Sequence, residues 1–164
     1  MRGRRDVSRA TPVGVGEQAP DFVRADHHGT QVRLRDVWSA STVVLVFYPF
    51  AFTGVCTGEL RALAGALPRF EVAEARVLAV SCDSMFTLRA FADQEGLAFP
   101  LVSDFWPHGE VARSYGVFDE ERGCARRGTF VIDRSGVVRW SVVNDIFDAR
   151  DVDDYLEAVE RLRT

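Results

Sequence analysis

The stretch Thr42-Val-Val-Leu-Val-Phe-Tyr-Pro-Phe-Ala-Phe-Thr-Gly-Val-Cys56 sets the architecture of the chain. Its first six residues are apolar or β-branched, which predicts a central strand over 42–47 that is buried on both faces. A helix is expected from Thr53 to about Ala64, because leucines recur there at helical spacing. The stretch therefore predicts a strand, a short loop and a helix whose first turn holds Cys56.

Strands and helices alternate along the rest of the chain. Further strands are predicted at 19–23, 31–34, 76–81 and 99–103, and as a hairpin formed by 128–132 and 137–143. Further helices are predicted at about 84–94, 109–115 and 151–163. This order indicates an α/β protein with a mixed central β-sheet flanked by helices, and it fits a thioredoxin-like fold.

The bulk properties limit the kinds of function that need to be considered. The chain has 164 residues, of which 47% are hydrophobic, which is enough for one domain with a single core. We expect a flexible leader over residues 1–15 and one domain over residues 16–164. The net charge of −4 favours no nucleic-acid partner. No apolar run is long enough to span a bilayer, and the basic N-terminus lacks the apolar segment of a secretory signal, so we expect a cytoplasmic location.

The cysteines point to redox chemistry at one residue. There are three of them, Cys56, Cys82 and Cys124, and an odd count with no export signal argues against a structural disulfide framework. The absence of a Cys-x-x-Cys pair weakens both a zinc site and a dithiol oxidoreductase. We therefore expect a single reactive cysteine, with or without a helper thiol, and neither metal nor cofactor.

Cys56 has the sequence context of a reactive thiol. A thiol attacks peroxide as the thiolate, and the free N–H groups and dipole of a helix N-terminus favour that anion. Thr53 is a suitable N-cap residue three positions earlier, and Pro49 can shield the sulfur from water. The loop 48–56 follows one buried strand and the loop 81–84 follows another. Both should lie at the carboxyl edge of the sheet, where α/β proteins place their sites.

These residues resemble a known active-site pattern. The spacing Pro49-x-x-x-Thr53-x-x-Cys56, the segment Arg127-Gly-Thr-Phe-Val-Ile-Asp133 and the opening Ala19-Pro-Asp-Phe22 resemble the peroxiredoxins over nearly the whole chain. Within that family, the segments 47–59 and 103–109 look most like the alkyl hydroperoxide reductase E group, which works with one cysteine.

The resemblance implies both an activity and a set of roles. It implies a thiol-dependent peroxidase that reduces hydrogen peroxide and organic hydroperoxides in antioxidant defence. Cys56 would be the peroxidatic residue, Thr53 a hydrogen-bonding residue, Pro49 a shield, Arg127 an activating residue, and Glu59 a residue that orients the arginines. It further implies a thiol reductant (thioredoxin, a glutaredoxin-like protein or a low-molecular-weight thiol) and a homodimer or larger assembly. Alternation in an extended segment would point Arg126 away from the site.

The other two cysteines allow two interpretations. Cys82 follows a buried strand and is best interpreted as an inert core thiol, although it shares the rim with Cys56. Cys124 lies among basic residues three positions before Arg127 and could also reach that rim. Either could be a resolving cysteine that reduces oxidised Cys56.

Three alternative functions could use the same cysteine and histidine residues. A cysteine hydrolase needs a histidine base, and only His108 is available away from the N-terminal turn. A disulfide reductase is disfavoured by the missing Cys-x-x-Cys pair. A peroxide-sensing redox module would use Cys56 in the same way as an enzyme would, and catalytic turnover with excess thiol separates the two.

Overall fold

A five-stranded mixed sheet forms the centre of the structure, a computed structural model that describes residues 8–163. In spatial order its strands are β5 (Leu101–Ser103), β4 (Ala75–Ser81), β3 (Thr42–Phe47), β8 (Arg127–Ile132) and β9 (Val138–Asn144). Strand β3 pairs in parallel with β4 and antiparallel with β8. The predicted mixed sheet and the predicted central position of residues 42–47 are confirmed.

Helices cover both faces of this sheet. They are α1 (Leu34–Ala40), α2 (Gly54–Val72), α3 (Met85–Glu95), α4 (Glu110–Ser114) and α5 (Val152–Arg161). Successive side chains of a strand point to opposite faces, so β3 contributes to two apolar clusters. Val44 and Val46 pack with α2, α3 and α5, whereas Val43 and Leu45 pack with α1 and α4.

Two short hairpins complete the strands. One pairs β1 (Val23–Ala25) with β2 (Gln31–Arg33), and the other pairs β6 (Phe118–Asp119) with β7 (Cys124–Ala125). The strand predicted at 19–23 is wrong for its first residues, because Ala19 N donates instead to Gly136 O at the hairpin turn over 2.8 Å. Helix α1 and the pair β6–β7 were not predicted.

Helix α2 is longer than the sequence indicated. It was expected to end near Ala64, yet it continues through Pro68 to Val72. Ala66 and Phe70 extend its buried face beyond that point, and Phe70 is fully buried. Tertiary burial of this face outweighs the local cost of an internal proline, which is about 3 kcal/mol in an isolated helix.

The chain is packed before the predicted domain start at residue 16. Val13 is buried, its N–H donates to Tyr115 O over 3.1 Å, and Arg9 N donates to Arg113 O over 3.2 Å. The prediction of a flexible leader up to residue 15 is therefore wrong for residues 9–13, because an apolar side chain and backbone hydrogen bonds hold them on the end of α4. Residues 1–7 of the predicted leader lie outside the described residues.

The topology brings two loops together at one edge of the sheet. Strands β3 and β4 are parallel, so the loop after Phe47 and the loop after Ser81 both leave the carboxyl edge. Tyr48 N donates to Val80 O over 3.0 Å and continues the pairing into the first loop. Between residues 8 and 163, no helix is both long and apolar enough to cross a membrane.

Candidate active site

Cys56 lies in the first turn of α2 and has no exposed surface. Thr53 is the N-cap residue by backbone conformation, but its hydroxyl does not accept from a helix N–H. The hydroxyl instead donates to Phe50 O over 2.7 Å. The Thr53 oxygen therefore accepts no hydrogen bond from the first-turn N–H groups of α2. These N–H groups and the helix dipole favour negative charge beside Cys56.

Arg127 contacts the sulfur of Cys56. Its Nη2 donates to Cys56 Sγ over 3.2 Å, and both residues are buried. The contact joins positions 71 residues apart and depends on the antiparallel pairing of β8 with β3. A guanidinium at this distance stabilises a thiolate, because a charge-assisted hydrogen bond is strong in a site that excludes water. The structure thus brings Arg127 and Cys56 together.

Glu59 lies one turn further along α2 and binds two arginines. Its Oε1 accepts from Arg127 Nη1 and, over 3.0 Å, from Arg150 Nη2. Its Oε2 accepts from the N–H and Nε of Arg150 over 2.6 and 2.9 Å. Burial opposes ionisation of Glu59, but hydrogen bonds and charge from Arg150 and the charge of Arg127 hold the pKa of its carboxyl below the usual value.

Arg150 is a residue of the site that the sequence did not identify. It precedes α5 and is buried, and its Nη1 donates to Gly128 O over 2.8 Å and to Thr129 Oγ1 over 3.1 Å. It therefore ties Glu59 to the start of β8, the strand that carries Arg127. No motif surrounds Arg150 in the sequence, so only the fold distinguishes it from the other arginines.

Asp83 holds the loop before α2 from the neighbouring strand. Its Oδ2 accepts from Ala51 N over 2.8 Å and from the Ser81 hydroxyl over 2.7 Å. The next residue, Phe52, has a φ of 65°, a left-handed conformation that costs a non-glycine residue about 1–2 kcal/mol. The Asp83 contact and the packing of Phe52 on Phe91 offset this cost and fix the path from Pro49 to Thr53.

A cavity of about 250 Å³ opens beside this cluster. It is lined by Pro49, Phe50, Thr53, Gly54, Val55, Arg127, Ile146 and Phe147. Pro49, Thr53 and Arg127 were predicted as site residues, and the structure places all three around one space next to Cys56. Ile146 and Phe147 were not predicted; Arg127 Nε holds their loop in place by donating to Ile146 O over 2.5 Å.

The other predicted cysteines lie away from this cavity lining. Cys82 and Cys124 are buried free thiols. Burial is the main cause that raises the pKa of the Cys82 thiol well above its usual value, with added repulsion from Asp104. Burial likewise raises the pKa of Cys124 to about 11. Both thiols are therefore protonated at neutral pH, unlike a thiol poised to attack peroxide.

His108 is engaged elsewhere, at the β6–β7 hairpin. Its Nε2 hydrogen-bonds Gly123 O at 2.7 Å, and its ring packs edge-on against Phe118. It is thus occupied in the hairpin rather than paired with a nucleophile as a hydrolase base would be. Within the described part of the chain, no group of three histidine, cysteine or carboxylate side chains could hold a metal ion.

A buried cysteine in a helix first turn, bound by an arginine from the adjacent antiparallel strand of a thioredoxin-like sheet, defines the peroxiredoxin class. The model described as the AhpC/TSA family matches residues 15–141, and the chain belongs to that family.

Relatives and solved structures agree with this assignment. The chain is 45% identical over 150 residues to alkyl hydroperoxide reductase E of Mycobacterium tuberculosis, covering 92% of this chain and 98% of that one. It is 38% identical to a putative peroxiredoxin of Clostridium pasteurianum, covering 92% and 89%. It superposes on a peroxidoxin from M. tuberculosis with a TM-score of 0.84 and 30% identity, covering 94% and 99%. The reduced 2-Cys peroxiredoxin of Plasmodium vivax also gives a TM-score of 0.84, at 28% identity, covering 93% and 83%. The predicted peroxiredoxin resemblance and thioredoxin-like fold are confirmed.

Proposed function

We propose that the protein is a thiol-dependent peroxidase that reduces hydrogen peroxide and organic hydroperoxides through Cys56, as part of antioxidant defence. The contact of Arg127 Nη2 with Cys56 Sγ, at 3.2 Å in a buried helix first turn, carries this proposal. Relatives named as alkyl hydroperoxide reductase and 2-Cys peroxiredoxin support the same activity.

The first step is a displacement at the O–O bond. The Cys56 thiolate attacks one oxygen of the peroxide, an S–O bond forms, and the O–O bond breaks. The departing oxygen leaves as an alcohol or water after taking a proton, and Cys56 becomes a sulfenic acid. Two equivalents of external thiol then return Cys56 to the thiol, releasing water and a disulfide.

Each of the surrounding side chains has a role in this step. Arg127 stabilises the thiolate and then the negative charge that develops on the departing oxygen. Thr53 supplies a hydroxyl at the cavity wall, and Pro49 excludes water from the sulfur. Glu59 positions Arg127, and Arg150 in turn fixes Glu59.

The cavity wall supports substrates larger than hydrogen peroxide. Phe50, Val55, Ile146 and Phe147 give it apolar surface beside the polar groups of Thr53 and Arg127. An organic hydroperoxide can place its tail on this apolar surface while its peroxide group meets Cys56.

The reductant, assembly and location complete the proposal. We propose a thiol reductant such as thioredoxin, a glutaredoxin-like protein or a low-molecular-weight thiol, and a homodimer or larger assembly. The exposed aromatic side chains of Phe86, Phe105 and Trp106 support association between copies. Three unpaired cysteines support a reducing compartment such as the cytoplasm.

Peroxide consumption with excess dithiothreitol tests the activity. The wild-type protein should consume many equivalents, and Cys56→Ser should consume none above the uncatalysed rate. Thr57→Ser, one residue along the same helix turn, is the matched control and should behave like wild type. Consumption by Cys56→Ser at the wild-type rate would refute the proposal. Consumption of only one equivalent by the wild type would favour the sensing module instead.

A further inference from the structure

Thr129 lies on the strand that carries Arg127 and points to the same face of the sheet. The two residues are two positions apart in β8, and strand side chains with that separation share a face. Thr129 has no exposed surface. Its oxygen accepts from Arg150 Nη1 over 3.1 Å, and its hydroxyl donates to Tyr155 Oη over 2.9 Å. Two residues around the start of α5 therefore bind one threonine next to the arginine of the site.

Tyr155 allows the Thr129 oxygen to face Arg150. A guanidinium donates and cannot accept, so Arg150 needs the Thr129 oxygen as an acceptor. The proton of that hydroxyl then needs an acceptor of its own, and the Tyr155 oxygen supplies it. Burial raises the pKa of Tyr155 to about 12, so its hydroxyl stays uncharged at neutral pH. A hydroxyl that donates is also a stronger acceptor, which strengthens the bond between Thr129 and Arg150.

The position of the Tyr155 hydroxyl is fixed by packing. Tyr155 is buried, and the ring of Trp140 packs edge-on against its ring at 5.9 Å between centroids. Trp140 belongs to β9 and pairs with Val131 of β8, so it is part of the same sheet as Thr129. The phenol is therefore held against β8 by a rigid neighbour as well as by its own helix.

A continuous series of contacts joins Tyr155 to the sulfur of Cys56. Arg150, which Tyr155 reaches through the shared hydroxyl, meets Arg127 at Oε1 of Glu59. Arg127 Nη2 then donates to Cys56 Sγ over 3.2 Å. Every residue in this series is buried, so water does not compete for these hydrogen bonds.

We propose that Tyr155 is a positioning residue for Cys56, and that it acts through this series of contacts to hold Arg127 on the sulfur. The proposal rests on the proposed peroxidase function, because it concerns the reactivity of the cysteine that would attack peroxide.

Tyr155→Phe isolates the contribution of the hydroxyl. The substitution keeps the ring and its packing on Trp140, and it removes only the oxygen that accepts from Thr129. The buried Thr129 hydroxyl then turns towards another acceptor and presents its oxygen less well to Arg150. Arg127 is consequently held less firmly, and the thiolate that it stabilises forms less readily.

The test is the rate at which iodoacetamide alkylates Cys56 as a function of pH, with peptide mapping to separate the three cysteines. For Tyr155→Phe we expect the midpoint of this profile to rise by about 0.3–1 pH unit. Below the midpoint, alkylation and the reaction with hydrogen peroxide should both slow about 2-fold to 10-fold, the usual effect of one hydrogen bond. An unchanged midpoint in Tyr155→Phe would overturn the positioning role. Because alkylation needs no peroxide, a wild type that is alkylated but consumes no peroxide would contradict only the peroxidase function.

Tyr115→Phe is the matched control for loss of a buried tyrosine hydroxyl. Tyr115 is fully buried in the cluster on the opposite face of the sheet, and its Oη donates to Pro20 O over 2.7 Å. Both substitutions should lower the urea midpoint of unfolding to a similar extent, but Tyr115→Phe should leave the alkylation profile of Cys56 unchanged. An equal shift of the profile in the two variants would reduce Tyr155 to a general contributor to stability and overturn the proposal.

Variants of Thr129 test the route. Thr129→Val removes the hydroxyl with little change of shape and should raise the alkylation midpoint at least as much as Tyr155→Phe does. Thr129→Ser keeps the hydroxyl and should restore the wild-type midpoint. Combining Thr129→Val with Tyr155→Phe should shift the midpoint no further than Thr129→Val alone, because both changes interrupt the same contact. Additive shifts in the double variant would contradict a route through Thr129.

Discussion

Arg150 binds Glu59 through both carboxylate oxygens, with Nε 2.9 Å from Oε2 and Nη2 3.0 Å from Oε1. The Arg150 side chain is 1% exposed and the Glu59 side chain is 5% exposed. Oε1 also accepts from Arg127, so a single carboxylate on α2 positions two arginines from the other side of the site. Arg127 contacts Cys56, and its orientation therefore depends on Glu59 and Arg150, which do not contact Cys56.

Glu59→Gln should destabilise the protein strongly. The amide has the shape of the carboxylate but no charge, so two buried guanidinium groups lose their counter-charge. We expect a loss of about 3–5 kcal/mol in the free energy of unfolding, measured by urea denaturation at pH 7. Glu157→Gln, which removes an exposed pair with Arg161, is the control and should cost less than about 1 kcal/mol. Equal effects of the two substitutions would contradict the structural role of Glu59.

The contribution of Glu59 should also depend on pH. Hydrogen bonds and charge from the two arginines hold its pKa in the folded protein below its ordinary value of 4.5. The stabilisation is therefore fully present above pH 4.5 and is lost as the pH falls through the folded-state pKa. The difference in unfolding free energy between wild type and Glu59→Gln should stay constant from neutral pH to about 5 and then shrink. A difference in unfolding free energy that grew as the pH fell would contradict this prediction.

Arg127→Lys should slow the reaction with peroxide by about 100-fold to 1,000-fold. Lysine keeps the charge but loses the planar fork that contacts Cys56, Glu59 and Ile146 O together. Stopped-flow measurement of the second-order rate constant checks this expectation. Arg126→Lys is the matched control in the adjacent position, and it should react at nearly the wild-type rate.

Phe147→Ala should change the choice between substrates. Phe147 lines the cavity but is 74% exposed, so an organic tail would cover surface that is now open. For an aryl-alkyl hydroperoxide we expect kcat/KM to fall about 3-fold to 10-fold, as lost burial of part of a ring implies, with hydrogen peroxide nearly unaffected. Phe86→Ala removes an equally exposed ring that lines a different surface and should leave the ratio of the two substrates unchanged. An equal fall in kcat/KM for both peroxides in Phe147→Ala would show that Phe147 does not contribute to substrate recognition.

Local sequence patterns were sufficient to predict the central strand of the fold and the side of the site that Pro49, Thr53 and Cys56 form. The run of β-branched and apolar residues over 42–47 predicts a buried strand, and the structure places that strand at the middle of the sheet. The proline, threonine and cysteine that follow are close in sequence, so their spacing alone places them around one helix start. Arg127 was found because its segment resembles that of a family.

The features of the fold and site that the sequence did not predict depend on contacts between segments that are distant in sequence. Arg150 resembles any other arginine until α5 docks against α2 and brings it to Glu59. Pro68 predicts a helix end locally, and only the burial of Phe70 against the sheet overrides that prediction. Asp83 would pass for an ordinary residue of a turn, and its hold on Ala51 follows from the parallel pairing of β3 with β4.

The docked segment before residue 14 has a practical consequence for anyone who shortens or tags this chain. Gly116 lies so close to it that a side-chain carbon there would come within 2.2 Å of Thr11 O. Truncation of the chain to begin at Gly14 would remove this closely packed segment from the end of α4 and lower the melting temperature. An affinity tag is better joined ahead of Arg9, with a spacer long enough to leave the hydrogen bond from Arg9 N to Arg113 O intact.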